Sequence, residues 1–132
     1  MLTEKQISLI EATILPYWKG ERPYAFNGAK GCQYLTEEGN KCAFGLHLKE
    51  EYLTDNIEGS SASDVLSYWV ESPLKDEARE ANLSPDQWDA IQVLHDTAAV
   101  KKGDTVLRSL LYKLDPHRQL TKLHSFLRTS KL

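Results

Sequence analysis

Cysteine is scarce in this chain: its 132 residues hold two, Cys32 and Cys42. Two thiols exclude the disulfide framework of a small secreted scaffold, and they point to a reducing, cytoplasmic setting. Nine residues separate them, whereas the knuckle of a structural zinc site has two to four. No apolar run approaches the roughly 20 residues of a membrane-spanning helix, so no membrane partner is expected. The opening M-L-T-E-K-Q has neither the basic start nor the apolar stretch of a signal peptide. A Gly-rich phosphate loop, a Ser-His-Asp spacing and a dinucleotide fingerprint are all missing. So are internal repeats and low-complexity tracts.

What is present suits one domain over residues 1–132. Apolar residues make up 41% of the chain, enough for a real core. The net charge is only −3, but it is unevenly spread. Residues 37–96 carry four basic and fourteen acidic groups, and residues 97–132 carry eight basic and two acidic. Solvated faces of opposite sign account for this simply. Nucleic acid is not an expected partner, because its footprint is usually a basic patch on a basic domain.

Hydrophobic periodicity predicts a mainly helical α+β fold, with five to six helices packed around one short β-hairpin. Thr3 and Gln6 form a capping-box pattern ahead of Ile7, Ile10, Ile14 and Trp18, with Pro16 placed to kink or end that helix. Residues 45–53 are expected to be helical, and a short helix should start near Ser63 and stop by Pro73. Residues 74–81 read as an acidic surface helix or turn. Ser84, Pro85 and Gln87 open a helix that runs to about Lys102. Gly103 should end it and Asp104 cap the next, whose apolar face includes Leu107, Leu111 and Leu114. Asp115-Pro116 then leads to a last amphipathic helix with Leu120, Leu123, Phe126 and Leu127 inside.

The run Gly31 to His47 draws the chemistry together. Cys32 to Thr36 alternates, residues 37–40 are turn chemistry, and Lys41 to Phe44 returns, which predicts a hairpin. A four-residue loop would set Leu35 opposite Cys42. A five-residue loop would pair Tyr34 with Cys42 and put both thiols on one side. Neither register allows a direct Cys32–Cys42 disulfide. Cys42, just ahead of an expected helix start, is placed to favour thiolate, although a free cysteine usually packs as a small apolar side chain.

The motifs G-C-Q-Y-x-x-x-x-G-x-K-C-A-F-G at Gly31 to Gly45, I-E-G at Ile57 to Gly59 and I-Q-V-L-H-D at Ile91 to Asp96 resemble a group of small bacterial and phage-encoded proteins. The resemblance spans about half the chain. It implies a phage, prophage or bacterial source, and it brings no activity with it.

His95 falls inside the apolar arc of the Trp88 helix, with Gln92 on the edge of that arc and Asp96 near its rim. A histidine in such a position is ordinarily a hydrogen-bonded core residue. The chemical alternative is a thiol hydrolase or transferase with Cys42 as nucleophile and His95 as base. Asp96 is the adjacent carboxylate, but as the next residue on the same helix it is expected to point elsewhere, leaving Asp64, Asp89 or a carbonyl to orient the ring. That reading requires Cys42 and His95 to meet in an open cleft. Cys32, Tyr34, His47 and Gln92 are the candidate binding residues around the pair. Cys32, Cys42, His47 and His95 are suitable zinc ligands by type, and His95-Asp96 with His47 and Asp115 has the residue types of a metal phosphohydrolase. Neither spacing is diagnostic, so no metal or cofactor is assigned. The expected function is that of a cytoplasmic accessory protein that binds a host protein or a small molecule.

Overall fold

A computed structural model describes residues 1–27, 31–48, 53, 57–68, 80–100 and 103–129. Among these are five α-helices: α1 (Glu4–Trp18), α2 (Ala62–Tyr68), α3 (Pro85–Ala99), α4 (Asp104–Leu114) and α5 (Thr121–Thr129). They accompany one two-stranded antiparallel hairpin of β1 (Phe26–Asn27) and β2 (Gly31–Cys32). The fold is therefore mainly α with a small β component, as the periodicity predicts. None of the described helices is long and apolar enough to cross a membrane.

Both capping boxes form. Thr3 and Gln6 satisfy each other's backbone N–H at the start of α1, and Ser84 and Gln87 do the same for α3. Pro16 does not end α1, which continues to Trp18. The ring removes one N–H donor within the last turn, and the Pro16 carbonyl, which remains an acceptor, takes the Glu21 and Arg22 N–H groups beyond the helix end. Helix α3 stops at Ala99, three residues short of the expected end. At α4 the cap is Gly103 rather than Asp104, which is the first helical residue. The acidic stretch expected at 74–81 lies outside the described residues except for Glu80 and Ala81, and so do Trp69, Val70 and Pro73.

The hairpin sits earlier than expected. Strand pairing joins Phe26 to Cys32 and Asn27 to Gly31, and the predicted Cys32–Phe44 hairpin is reduced to a single bridge, Leu35 to Lys41. The reason is competition for backbone donors. The Glu58 carboxylate takes the Tyr34 and Leu35 N–H groups at 2.7 and 3.4 Å, so that edge bonds to a side chain instead of a strand. The turn itself forms: Thr36 and Asn40 close it, with Gly39 at φ 88°. Its register is the five-residue alternative, in which the Cys42 N–H donates to the Tyr34 carbonyl.

Where a helix is expected over residues 45–53, Gly45–His47 form a 3-10 turn and Leu48 is extended, while residues 49–52 lie outside the described residues. Gly45 explains its position. A Cβ there would lie 2.5 Å from the Tyr34 carbonyl oxygen, so only glycine lets the turn close on the hairpin residue.

Helix α3 is the centre of the packing. It lies against α1, α2 and α4, while α5 packs on α1 and α4. Trp88, Ile91, Leu94 and His95 of α3 are buried with Ile10, Ile14 and Tyr17 of α1, with Phe44, and with Leu107, Leu111, Leu120 and Leu123. Each large apolar side chain so buried contributes about 1.5–3 kcal/mol. Glu11 reaches from α1 to accept the Lys122 N–H at 2.7 Å, which caps α5 with a carboxylate.

Candidate functional site

One face of α3 carries Asp89, Gln92, Val93 and Asp96, at intervals of three, one and three residues, which aligns them along the helix. This face, with β2, Tyr34, the turn at Ile57–Ser60 and the start of α2, walls a cavity of about 510 Å³. Its polar lining includes Cys32, Tyr34 and Gln92 and three carboxylates, those of Glu58, Asp89 and Asp96.

Each carboxylate is held in place. Glu58 is fixed by the Tyr34 and Leu35 N–H groups, and Asp89 Oδ1 by the Ser63 N–H at 2.8 Å. Asp96 Oδ1 accepts from Gln92 Nε2 at 2.7 Å and from His95 Nδ1 at 2.8 Å. Gln92 Oε1 in turn takes the Phe44 N–H at 2.9 Å, so this one amide ties the turn at residues 43–47 to the Asp96 carboxylate. Among the described residues, no Lys or Arg lines the cavity or ion-pairs with these three groups. Gln33 Oε1 is buried and has no hydrogen-bond partner among the described residues.

His95 is fully buried, as the apolar arc implies, and both ring nitrogens are occupied. Nε2 accepts from the Ala25 N–H at 3.3 Å, which leaves the ring proton on Nδ1, where it is donated to Asp96. Tyr17 and Tyr24 pack edge-on against the ring, with centroids 4.7 and 5.3 Å away. The expectation that Asp96 would point away from its neighbour is corrected here. Its side chain turns back along the helix, because Gln92 one turn earlier pulls the carboxylate towards the hairpin side.

The sulfur that joins His95 and Asp96 is that of Cys32: their ligand atoms lie within 4.8 Å of one another. A metal ion fits this trio poorly. Coordination at Nδ1 would move the ring proton to Nε2 and set it against the Ala25 N–H. Burial, then the nearby Asp96 carboxylate, pushes the Cys32 thiol up to about 12.

Cys42 is fully buried, and its Sγ accepts from the Gly45 N–H at 3.2 Å, not from His95. Burial raises its thiol to about 12 despite that bond. The nucleophile–base contact that thiol chemistry needs is not formed, and both groups are sealed in packing. His47 is also buried away from the cavity. It bonds Thr13 Oγ1 at 2.8 Å, and since that hydroxyl donates to the Leu9 carbonyl, the imidazole Nε2–H is the donor. Asp115, the further ligand in the metal reading, is buried elsewhere against Gln119, Leu120 and His124.

Of the residues named from sequence, Cys32, Tyr34, Gln92 and Asp96 line one cavity, His95 backs it, and Cys42 and His47 lie in the core. Glu58, Gln33 and the grouping of Asp89 with Asp96 were not anticipated. The α3 spacing carried a signal for Asp89, whereas Glu58 gave none beyond its place in the I-E-G motif.

No protein-family model, curated protein or solved structure matches the chain.

Proposed function

We propose that this chain is a small binding module of a bacterial or phage-infected cytoplasm, and that it takes a cationic group, an amine or a guanidinium, into the cavity lined by Glu58, Asp89 and Asp96. The carrying observation is that three carboxylates anchored by backbone or amide donors face one cavity of about 510 Å³ whose lining, among the described residues, holds no Lys or Arg. Like charges gathered in this way repel one another, and a bound cation relieves the repulsion. Tyr34, Ala62 and Val93 provide apolar wall for a carbon skeleton. The size of the cavity favours a free small molecule over the lysine or arginine side chain of a host protein.

Binding is favoured over thiol catalysis because burial and the Asp96 carboxylate push the Cys32 thiol up to about 12, and the neighbouring imidazole has both ring nitrogens occupied. The test is calorimetric titration of the full chain with spermidine and with agmatine. Asp89→Asn and Asp96→Asn keep an acceptor at Oδ1 and remove the charge, and each should weaken binding about tenfold, the equivalent of one charge-assisted hydrogen bond. Failure of both cations to bind at millimolar concentration, or equal affinity in the Asn variants, would sink the reading.

A further inference from the structure

A second cavity, of about 380 Å³, shares no lining residue with the first. It lies between α4, the turn that follows it and α5, and its polar lining is Arg108, Tyr112, Arg118, Thr121, His124 and Arg128. Among the described residues, no Asp or Glu lines it. We propose that this cavity binds the phosphate group of a small molecule.

Three guanidinium groups converge on it, and two are held by contacts that leave most of their donors free. Arg108 uses Nη2 to bond the Leu127 carbonyl at 2.6 Å, near the C-terminal end of α5. Arg118 stacks over the Tyr112 ring, 5.1 Å from its centroid, and donates Nε–H to the phenolic oxygen. Its backbone is left-handed, with φ 54°, an arrangement seldom taken by residues other than glycine. A guanidinium has five N–H donors in a planar fork, so each of these two retains donors for a ligand after its internal bond. His124 is steadied from behind by Asp115, at 2.9 Å, and its ring packs on Tyr112. The buried Asp115 carboxylate is taken up by the Gln119 and Leu120 N–H groups and by His124, and it does not line the cavity.

Three fixed positive charges suit a phosphate better than a carboxylate. The phosphate carries close to two charges and three acceptor oxygens at neutral pH, enough to engage several guanidinium forks together. The compact cavity and the net charge of −3 on the whole chain favour a small phosphorylated molecule over a nucleic acid, which would need an extended basic track.

The experiment is titration of the full chain with inorganic phosphate and with pyrophosphate at low salt, followed by calorimetry. Both should bind, with pyrophosphate the tighter, and Arg118→Gln and Arg128→Gln should each weaken binding about tenfold while leaving the circular dichroism spectrum unchanged. Arg128→Lys should recover only part of the loss, because a lysine keeps the charge without the fork. The proposal is overturned if neither anion binds at millimolar concentration, or if both Gln variants bind as the native chain does. It is also overturned if a short single-stranded oligonucleotide binds far more tightly than pyrophosphate through the same arginines. Spermidine binding at the carboxylate cavity should be unaffected by these substitutions, so the two sites are tested separately.

Discussion

His95 illustrates how a residue with a chemical reputation can be occupied structurally. Its Nε2 holds the Ala25 N–H just before β1, and its Nδ1–H holds Asp96 at the cavity edge. The imidazole therefore joins the approach to the hairpin to α3 and orients one of the cavity carboxylates. Replacing it by alanine would leave a buried backbone donor unsatisfied and a hole beside Tyr17 and Tyr24. We expect His95→Ala to lose about 2–4 kcal/mol of stability, from the unmade hydrogen bonds and the lost packing together. Urea unfolding followed by tryptophan fluorescence measures this directly. A variant as stable as the native chain would mean that the ring is not a structural tie.

At the scale of elements, the 3-10 turn Gly45–His47 and α3 are coupled through Gln92 and through the close approach of Gly45 to Tyr34. An added methyl group at Gly45 meets backbone, which cannot rotate out of the way as a flexible side chain would. Gly45→Ala should therefore cost about 1–3 kcal/mol, the usual range for overpacking a rigid site. Its effect should extend to the cavity, because Tyr34 and Glu58 both lie on the displaced side. The check is a thermal melt with and without spermidine. An unchanged melting temperature would show that the turn has room to shift.

For the whole molecule, pH dependence follows from groups buried in their neutral forms. Burial pushes both thiols and Tyr24 up to about 12, and Tyr17 and Tyr34 higher still, also by burial first. In the unfolded chain thiols titrate near 8.5 and phenols near 10. Between those values and about 12 the unfolded state has lost protons that the folded state keeps, so stability falls as pH rises. It is fully present below the unfolded values. The urea midpoint should hold steady from pH 7 to about 8 and then decline towards pH 11. Cys42→Ala should make the first part of that decline shallower, where only thiols titrate. A midpoint constant across the alkaline range would contradict the burial of these groups.

The local order of this protein was legible along the chain. The capping boxes at Thr3 and Ser84, the apolar stripes of α1, α3, α4 and α5, and the turn at residues 36–40 all depend on contacts within a few residues, which is the range at which sequence patterns act. The burial of His95 belongs here too, since it follows from helical spacing alone. Tertiary structure decided the rest. Glu58 takes the backbone donors of Tyr34 and Leu35 across more than twenty residues, and so the pairing expected after Cys32 gives way to pairing before it. Gly45 ends up against Tyr34, so residues 45–47 close as a 3-10 turn and Leu48 leaves it extended. Cys32, Asp89, Asp96 and Glu58 share a cavity only because the fold brings the Asp96 end of α3 to Cys32, whose thiol reaches the Asp96 carbonyl. Spacing along one helix can place Asp89 with Asp96, but no local pattern encodes which distant carboxylate or thiol a folded chain will set beside them.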